Sequence, residues 1–381
     1  MVNQFPAPAY EPFEPEIERP RRRAKLFLVP AAALLLLAVP GGAFAYAQNE
    51  LTQAEQAEEQ SQFAAALAHY QAADTIAGNP AARFLLGELA DRAEAGAAQA
   101  HYDWGQAEER AGQFADAEEQ YRQAVASGIE DWQTRGNQAL ASLFLDWGGT
   151  LAGKQQFEQA IDKYRQVGAF DSAGDLHSKT ADALATAYAG YALQFSKATP
   201  ADWINALTWY QNLAKEFPDS AQTATARKAA LPQALYMAGL AYVQQSRYEQ
   251  ARASMREAIA SYPTTTWAQQ AKAAMAAPQP LTGRLVTGDG TPVPNRLLRI
   301  STKWRIVAPH TYDDSGGQHY TTTTKADGTF SLIVPPGQNY LVTWWDLTRK
   351  NFVTTFINDT VPVNQVNIDP LEPAHANVAI S

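Results

Sequence analysis

The sequence predicts a multidomain chain, helical first and β afterwards. A single membrane-spanning helix lies near the amino terminus, an all-α array of helical repeats follows, and an antiparallel β-sandwich closes the chain. Three observations predict this order. Residues 26–47 form an apolar run without a charge. From about residue 50 to 277 the chain is dominated by Ala, Gln, Glu and Leu, all good helix formers. Beyond residue 278 these fade, Thr, Val, Pro, Asn and Gly rise, and strand-like alternation appears between turn signals.

The first 25 residues read as a disordered cytoplasmic tail. Pro6, Pro8, Pro12 and Pro15 alternate with Glu11, Glu14, Glu16 and Glu18, a composition that supports no packed core. Arg19, Arg21, Arg22, Arg23 and Lys25 then precede the apolar run, and Glu50 follows it. The 22 residues of 26–47 reach about 33 Å as a helix, against a hydrocarbon core of about 30 Å. Basic residues before the run place the amino terminus in the cytoplasm and the bulk of the chain outside it. Ala45-Tyr46-Ala47 also matches a signal-peptidase pattern. The long polar leader and the long apolar run favour an uncleaved signal anchor over a cleaved signal.

Residues 48–277 carry an internal repeat. The series is Phe63/Ala66/Tyr70/Ala73, Phe114/Ala117/Tyr121/Ala124, Phe157/Ala160/Tyr164/Val167, Trp203/Ala206/Tyr210/Leu213 and Tyr248/Ala251/Met255/Ala258. Steps of 3, 4 and 3 put each set on one helical face. Trp104-Gly105, Trp147-Gly148 and Ala238-Gly239 each place a glycine nine residues before the next aromatic. Gly112 lies two residues before Phe114, and Pro218 and Pro263 each lie five residues after the last member of their sets, Leu213 and Ala258. These residues resemble a tetratricopeptide (TPR) array. The resemblance implies stacked helix pairs whose concave face binds protein partners. Successive aromatics lie 51, 43, 46 and 45 residues apart, longer than the ~34 usual for the family, so longer first helices or additional turns are expected. SKATP (196–200) interrupts the fourth copy. A binding role should fall on polar or aromatic first-helix residues facing the concavity, which the sequence does not single out.

Residues 278–381 give some seven short strands. Leu-Thr-Gly-Arg-Leu-Val (281–286), Gly290-x-Pro292-Val293, Ala326-Asp327-Gly328-x-Phe330 and Pro336-Gly337-x-x-Tyr340-x-Val342 form an ordered set. The set resembles the carboxypeptidase regulatory-like domain, a transthyretin- or immunoglobulin-like sandwich that is non-catalytic. Asp289-Gly290 and Asp327-Gly328 read as hairpin turns. Phe330, Leu332, Val334, Tyr340 and Val342 alternate toward a core. The stretch 301–320 is longer than the family's usual link and reads as an exposed loop, where binding residues are expected. The candidates are Trp304, His310, Asp313, Asp314 and His319 within it, and Trp345 outside it.

Function classes narrow by exclusion. The chain has no cysteine, so disulfides, Cys-ligated zinc and a thiol nucleophile are absent. Its net charge is −9 with no basic tract on the folded part, a poor footprint for nucleic acid. No zinc-protease, nucleophile-elbow, P-loop or dinucleotide motif occurs. His310, Asp313, Asp314 and His319 share one stretch, but a solvated polar loop is the better reading than a metal site, and no cofactor is expected. The reading is a non-catalytic, membrane-anchored extracytoplasmic scaffold of the cell envelope that binds proteins. The alternative is a carbohydrate-binding surface protein, with Trp304, Trp344 and Trp345 as the sugar-stacking candidates.

Overall fold

The computed structural model describes residues 40–80 and 82–380. The predicted tail, 1–25, and residues 26–39 of the predicted anchor lie outside them. Among the described residues no helix is long and apolar enough to cross a membrane.

Twelve helices precede twelve strands among the described residues. The helices pair as α1 (Pro40–Glu59) with α2 (Phe63–Ala77), α3 (Arg83–Arg110) with α4 (Phe114–Ala126) and α5 (Glu130–Gly153) with α6 (Phe157–Val167). The fourth pair is α7 (His177–Lys197) with α8 (Trp203–Glu216). After the short α9 (Ala221–Lys228), α10 (Ala230–Gln244) pairs with α11 (Tyr248–Ser261), and α12 (Thr266–Ala276) covers the last pair.

Every second helix begins at the aromatic that opens its repeat set: Phe63, Phe114, Phe157, Trp203 and Tyr248. The other three residues of each set are buried, among them Tyr70, Tyr121, Tyr164, Tyr210 and Met255. Burying such a side chain contributes about 1.5–3 kcal/mol, so these repeated positions account for much of the array's cohesion. The glycines of the first helices have a steric reason. A Cβ on Gly105 would sit 2.8 Å from the Tyr121 ring, one on Gly148 2.5 Å from Tyr164, and one on Gly239 2.9 Å from Met255. Paired helices therefore approach through a glycine on one and an aromatic or Met on the other. The preceding tryptophans lie on the previous repeat, Trp104 stacked on Phe63 and Trp147 on Phe114, with ring centroids 6.3 and 5.8 Å apart.

The long repeat period resolves into long first helices of 28, 24 and 21 residues for α3, α5 and α7, plus the inserted α9. The turns between paired helices share one geometry. Ser61, Gly112, Gln155 and Ser246 all have positive φ, two residues before the opening aromatic, although only one of them is glycine. The interrupted fourth copy still forms a pair, with the Asp202 side chain capping α8 through Asn205 N–H.

One boundary differs from expectation. The array starts at Pro40 rather than residue 48, because Ala43, Ala47, Leu51, Ala54 and Ala57 form a buried stripe of α1 against α2 and α3. Small alanines that read as part of the apolar run serve as close helix contacts. A cut after Ala47 would divide α1.

The β part consists of β1 (Gln279–Thr287), β2 (Leu297–Ser301), β3 (Arg305–Ala308), β4 (Thr311–Asp313), β5 (His319–Thr323), β6 (Thr329–Val334), β7 (Gly337–Asp346), β8 (Asn351–Val353), β9 (Phe356–Asn358), β10 (Val361–Pro362), β11 (Gln365–Ile368) and β12 (Ala374–Ile380). A three-stranded sheet, β12-β1-β6, faces a larger one ordered β11-β7-β2-β5 with β8 beside β7. Leu281, Leu285, Phe330, Val334 and Val378 of the first meet Leu298, Ile300, Tyr340, Val342, Trp344 and Ile368 of the second in one core.

The sheets are not wholly antiparallel, as the sequence suggested, since β1 and β12 run parallel in register from Leu281↔Ala374 to Thr287↔Ile380. Nor is Asp327-Gly328 the turn of a paired hairpin. β5 pairs with β2 and β6 with β1, so the turn carries the chain from one sheet to the other. Asp327 holds this corner by accepting from the N–H and hydroxyl of Thr329 at 3.0 and 2.6 Å. The expected loop at 301–320 contains its own hairpin, β3–β4.

The two halves touch through one side chain in particular. Arg252 of α11 is buried, 4% exposed, and its guanidinium reaches Glu249 at 2.6 Å, Glu372 at 2.9 Å and the Pro370 carbonyl at 3.1 Å. Leu371, between β11 and β12, joins the helical core.

Candidate partner-binding cleft

Successive first helices lie side by side: α1 beside α3, α3 beside α5, and α5 beside α7. This is the inner face of a helical-repeat array. A cleft of about 590 Å³ opens on it between α3 and α5, floored by Tyr121 of α4. From α3 it takes Tyr102, Gln106, Glu109 and Arg110, at steps of 4, 3 and 1. From α5 it takes Arg135, Gln138, Ser142 and Asp146, at steps of 3, 4 and 4, all exposed and on one face.

Two tyrosines, Tyr102 and Tyr121, line the cleft, with Trp132 behind Tyr102 outside its lining. Tyr102 lies 5.6 Å from Tyr121 and 5.7 Å from Trp132, and the Arg135 guanidinium covers Trp132 at 5.0 Å. The charges are mixed. The Tyr121 hydroxyl donates to Glu109 at 2.6 Å. Burial pushes the Glu109 carboxyl above the usual glutamate range, the Tyr121 hydrogen bond opposes that shift, and the nearby Asp146 charge adds to it. Burial, then the Glu109 contact, raises the Tyr121 hydroxyl strongly. The motif recurs one repeat earlier, where Tyr70 donates to Glu58 at 2.9 Å and burial again raises the glutamate, with Asp103 adding to the effect. Asp103-Trp104-Gly105 and Asp146-Trp147-Gly148 thus have one division of labour. The glycine admits the tyrosine of its own repeat, the tryptophan stacks on the preceding repeat, and the aspartate stands near the preceding repeat's glutamate. A cleft with aromatic surface, an exposed and a half-buried amide and both charge signs suits an extended peptide, whose backbone and side chains need all three.

The residues expected on the β part are only partly brought together. His310 and Asp314 line a depression of about 600 Å³ there, with Arg299, Tyr312, Trp344 and Phe352. Trp304, Asp313, His319 and Trp345 lie outside its lining. Most of these groups already have partners within the chain. Asp314 meets Arg299 at 2.8 Å and Ser301 at 2.5 Å, Asp313 meets Arg305 at 3.0 Å, and His310 meets Asp359 at 3.2 Å. His319 Nε2 is 3.0 Å from the Asp314 carbonyl oxygen. No group of metal-ligating side chains occurs among the described residues. Trp344 is core, Trp345 is half-buried edge-on to Phe352, and the Trp304 indole donates to the Asn339 carbonyl at 2.6 Å. These positions lend no support to a sugar-stacking platform.

The comparisons agree with the helical half. A tetratricopeptide-repeat family model matches residues 233–265, the span of most of α10, α11 and the turn after it. The helical part of this chain is therefore TPR-like. A search of the curated proteins finds no match. Similar solved structures include a TPR protein from Bacteroides fragilis, at 12% identity, 60% of this chain, 98% of that one and a TM-score of 0.31. Another is the C-terminal part of a TPR protein from Cytophaga hutchinsonii, at 14%, 57%, 97% and 0.21. A third is PilF from Pseudomonas aeruginosa, at 12%, 61%, 99% and 0.18. TM-scores this low carry no structural argument.

Proposed function

We propose that this chain is a non-catalytic scaffold that holds an extended segment of a partner protein in the α3–α5 cleft. The cleft itself carries the reading: an inner-face opening whose exposed side chains come from two neighbouring first helices. The apolar run anchors the chain in a membrane, with the amino terminus in the cytoplasm and the folded part in the cell envelope. Residues 26–39 alone would reach about 21 Å as a helix, so a span of about 30 Å borrows the first turns of α1, where Phe44 and Ala45 are exposed. The β module is regulatory-like and non-catalytic. Its two facing sheets and the Arg252 contact support a rigid extension of the array.

Panning a random-peptide display library against the chain tests the cleft. The expected result is a set of related peptides that are no longer retained by Ser142→Arg, a variant that fills the cleft from an exposed position. Enrichment unaffected by this substitution would count against the site.

A further inference from the structure

Phe84 and Leu85 are the second and third residues of α3, and they are 93% and 65% exposed. Phe44 of α1 is 50% exposed. No other part of the array presents two adjacent large apolar side chains so openly among the described residues.

Their position is fixed by the register of α3 on α1. Arg92 contacts Gln48 at 3.5 Å and Glu55 at 3.0 Å, and Asp103 stands close enough to Glu58 to raise its carboxyl. The two helices run in the same direction, because each is antiparallel to α2. Trp104 stacks on Phe63, near the start of α2, while Gly96 abuts Tyr70 further along it. The offset between α1 and α3 lies between 37 and 45 residues, from Arg92–Glu55, Arg92–Gln48 and the Glu58–Asp103 proximity. Phe84 and Leu85 therefore lie beside the first two turns of α1, where Phe44 also sits. The apolar knob flanks the point at which α1 emerges from the uncharged residues 26–39.

We propose that Phe84 and Leu85, with Phe44, dock into the lipid surface beside the anchor and fix the array's orientation on the membrane. The proposal rests on the anchor reading above, which supplies the occupant: lipid is the surface that an apolar segment ending at this level brings with it. Apolar side chains at the level where a chain leaves the bilayer bury themselves in the headgroup and acyl boundary. Arg83 at the same end is turned toward Asp91 and Glu94, at 3.1 and 3.4 Å, so the knob presents no exposed pair of basic groups and is expected to act without anionic lipid.

The chain has no cysteine, so Leu85→Cys carries a single environment-sensitive fluorophore. The full chain is reconstituted in phosphatidylcholine vesicles with and without spin-labelled lipid. The expected result is blue-shifted emission that the spin-labelled lipid quenches, with no quenching of a label at Glu119→Cys on the exposed face of α4. Adding Phe84→Asp should reduce the quenching while the chain stays with the vesicles. Vesicle-bound chain whose Leu85 label is not quenched overturns the docking and leaves the anchor standing. Blue-shifted emission without quenching does the same, and shows that protein covers the knob. A chain that does not partition with vesicles overturns both readings.

Discussion

Gly148 and Gly149 are neighbours in α5, and alanine at each should have opposite effects. A Cβ at Gly148 would lie 2.5 Å from the Tyr164 ring, whereas at Gly149 its nearest contact is the Tyr164 hydroxyl at 3.9 Å. Alanine in a helix interior is favoured over glycine by about 1 kcal/mol at either position. At Gly148 an overpacking penalty of about 1–3 kcal/mol opposes this gain, because the ring is buried and cannot swing aside. Gly148→Ala should therefore be destabilising by up to ~2 kcal/mol and Gly149→Ala stabilising by up to ~1 kcal/mol. Urea unfolding followed by far-ultraviolet circular dichroism measures both. Equal stabilisation by the two substitutions would refute the claim that α5 and α6 meet through glycine and ring.

Two further outcomes follow from buried charge. Arg252→Met removes three contacts at the junction of the halves and leaves the Pro370 carbonyl without its donor, a loss of about 1–3 kcal/mol that should appear as faster hydrogen exchange in residues 369–373. Arg252→Lys should not restore it, since one ammonium cannot reproduce the guanidinium's spread of donors. Glu109 has a folded pKa above its unfolded one, so its contribution favours folding fully below the ordinary value of about 4.5 and is lost as pH rises through the folded value. Glu109→Gln should accordingly raise stability at pH 7 and change it little near pH 4, as read from urea midpoints at the two pH values.

The helix pairs were legible because burial writes itself into sequence at steps of 3, 4 and 3. Each opening aromatic starts a second helix, and each marked glycine sits under a large side chain. The cleft was not legible, although its motif was in view. Asp103 and Asp146 precede the same Trp-Gly pairs, but which faces of α3 and α5 oppose each other depends on how long each first helix is. Lengths of 28, 24, 21 and 15 residues break the period that would have revealed it. On the β side, alternation located most strands but not their partners. The β1–β12 pair joins residues more than ninety apart, and nothing local in either strand encodes that parallel match. The β3–β4 hairpin escaped notice because its residues are largely exposed and show no alternation. The apolar run overlaps the first turns of α1 without signalling it, because an alanine that contacts a neighbouring helix and one that faces lipid look alike in sequence.

The binding claim is tested most directly by the affinity of a library-selected peptide, measured by fluorescence anisotropy against the unaltered chain, Ser142→Arg and Gln211→Arg, the last an exposed position on α8. The account predicts a loss of at least about tenfold, or ~1.4 kcal/mol, for Ser142→Arg alone. Equal affinity for all three proteins would contradict it.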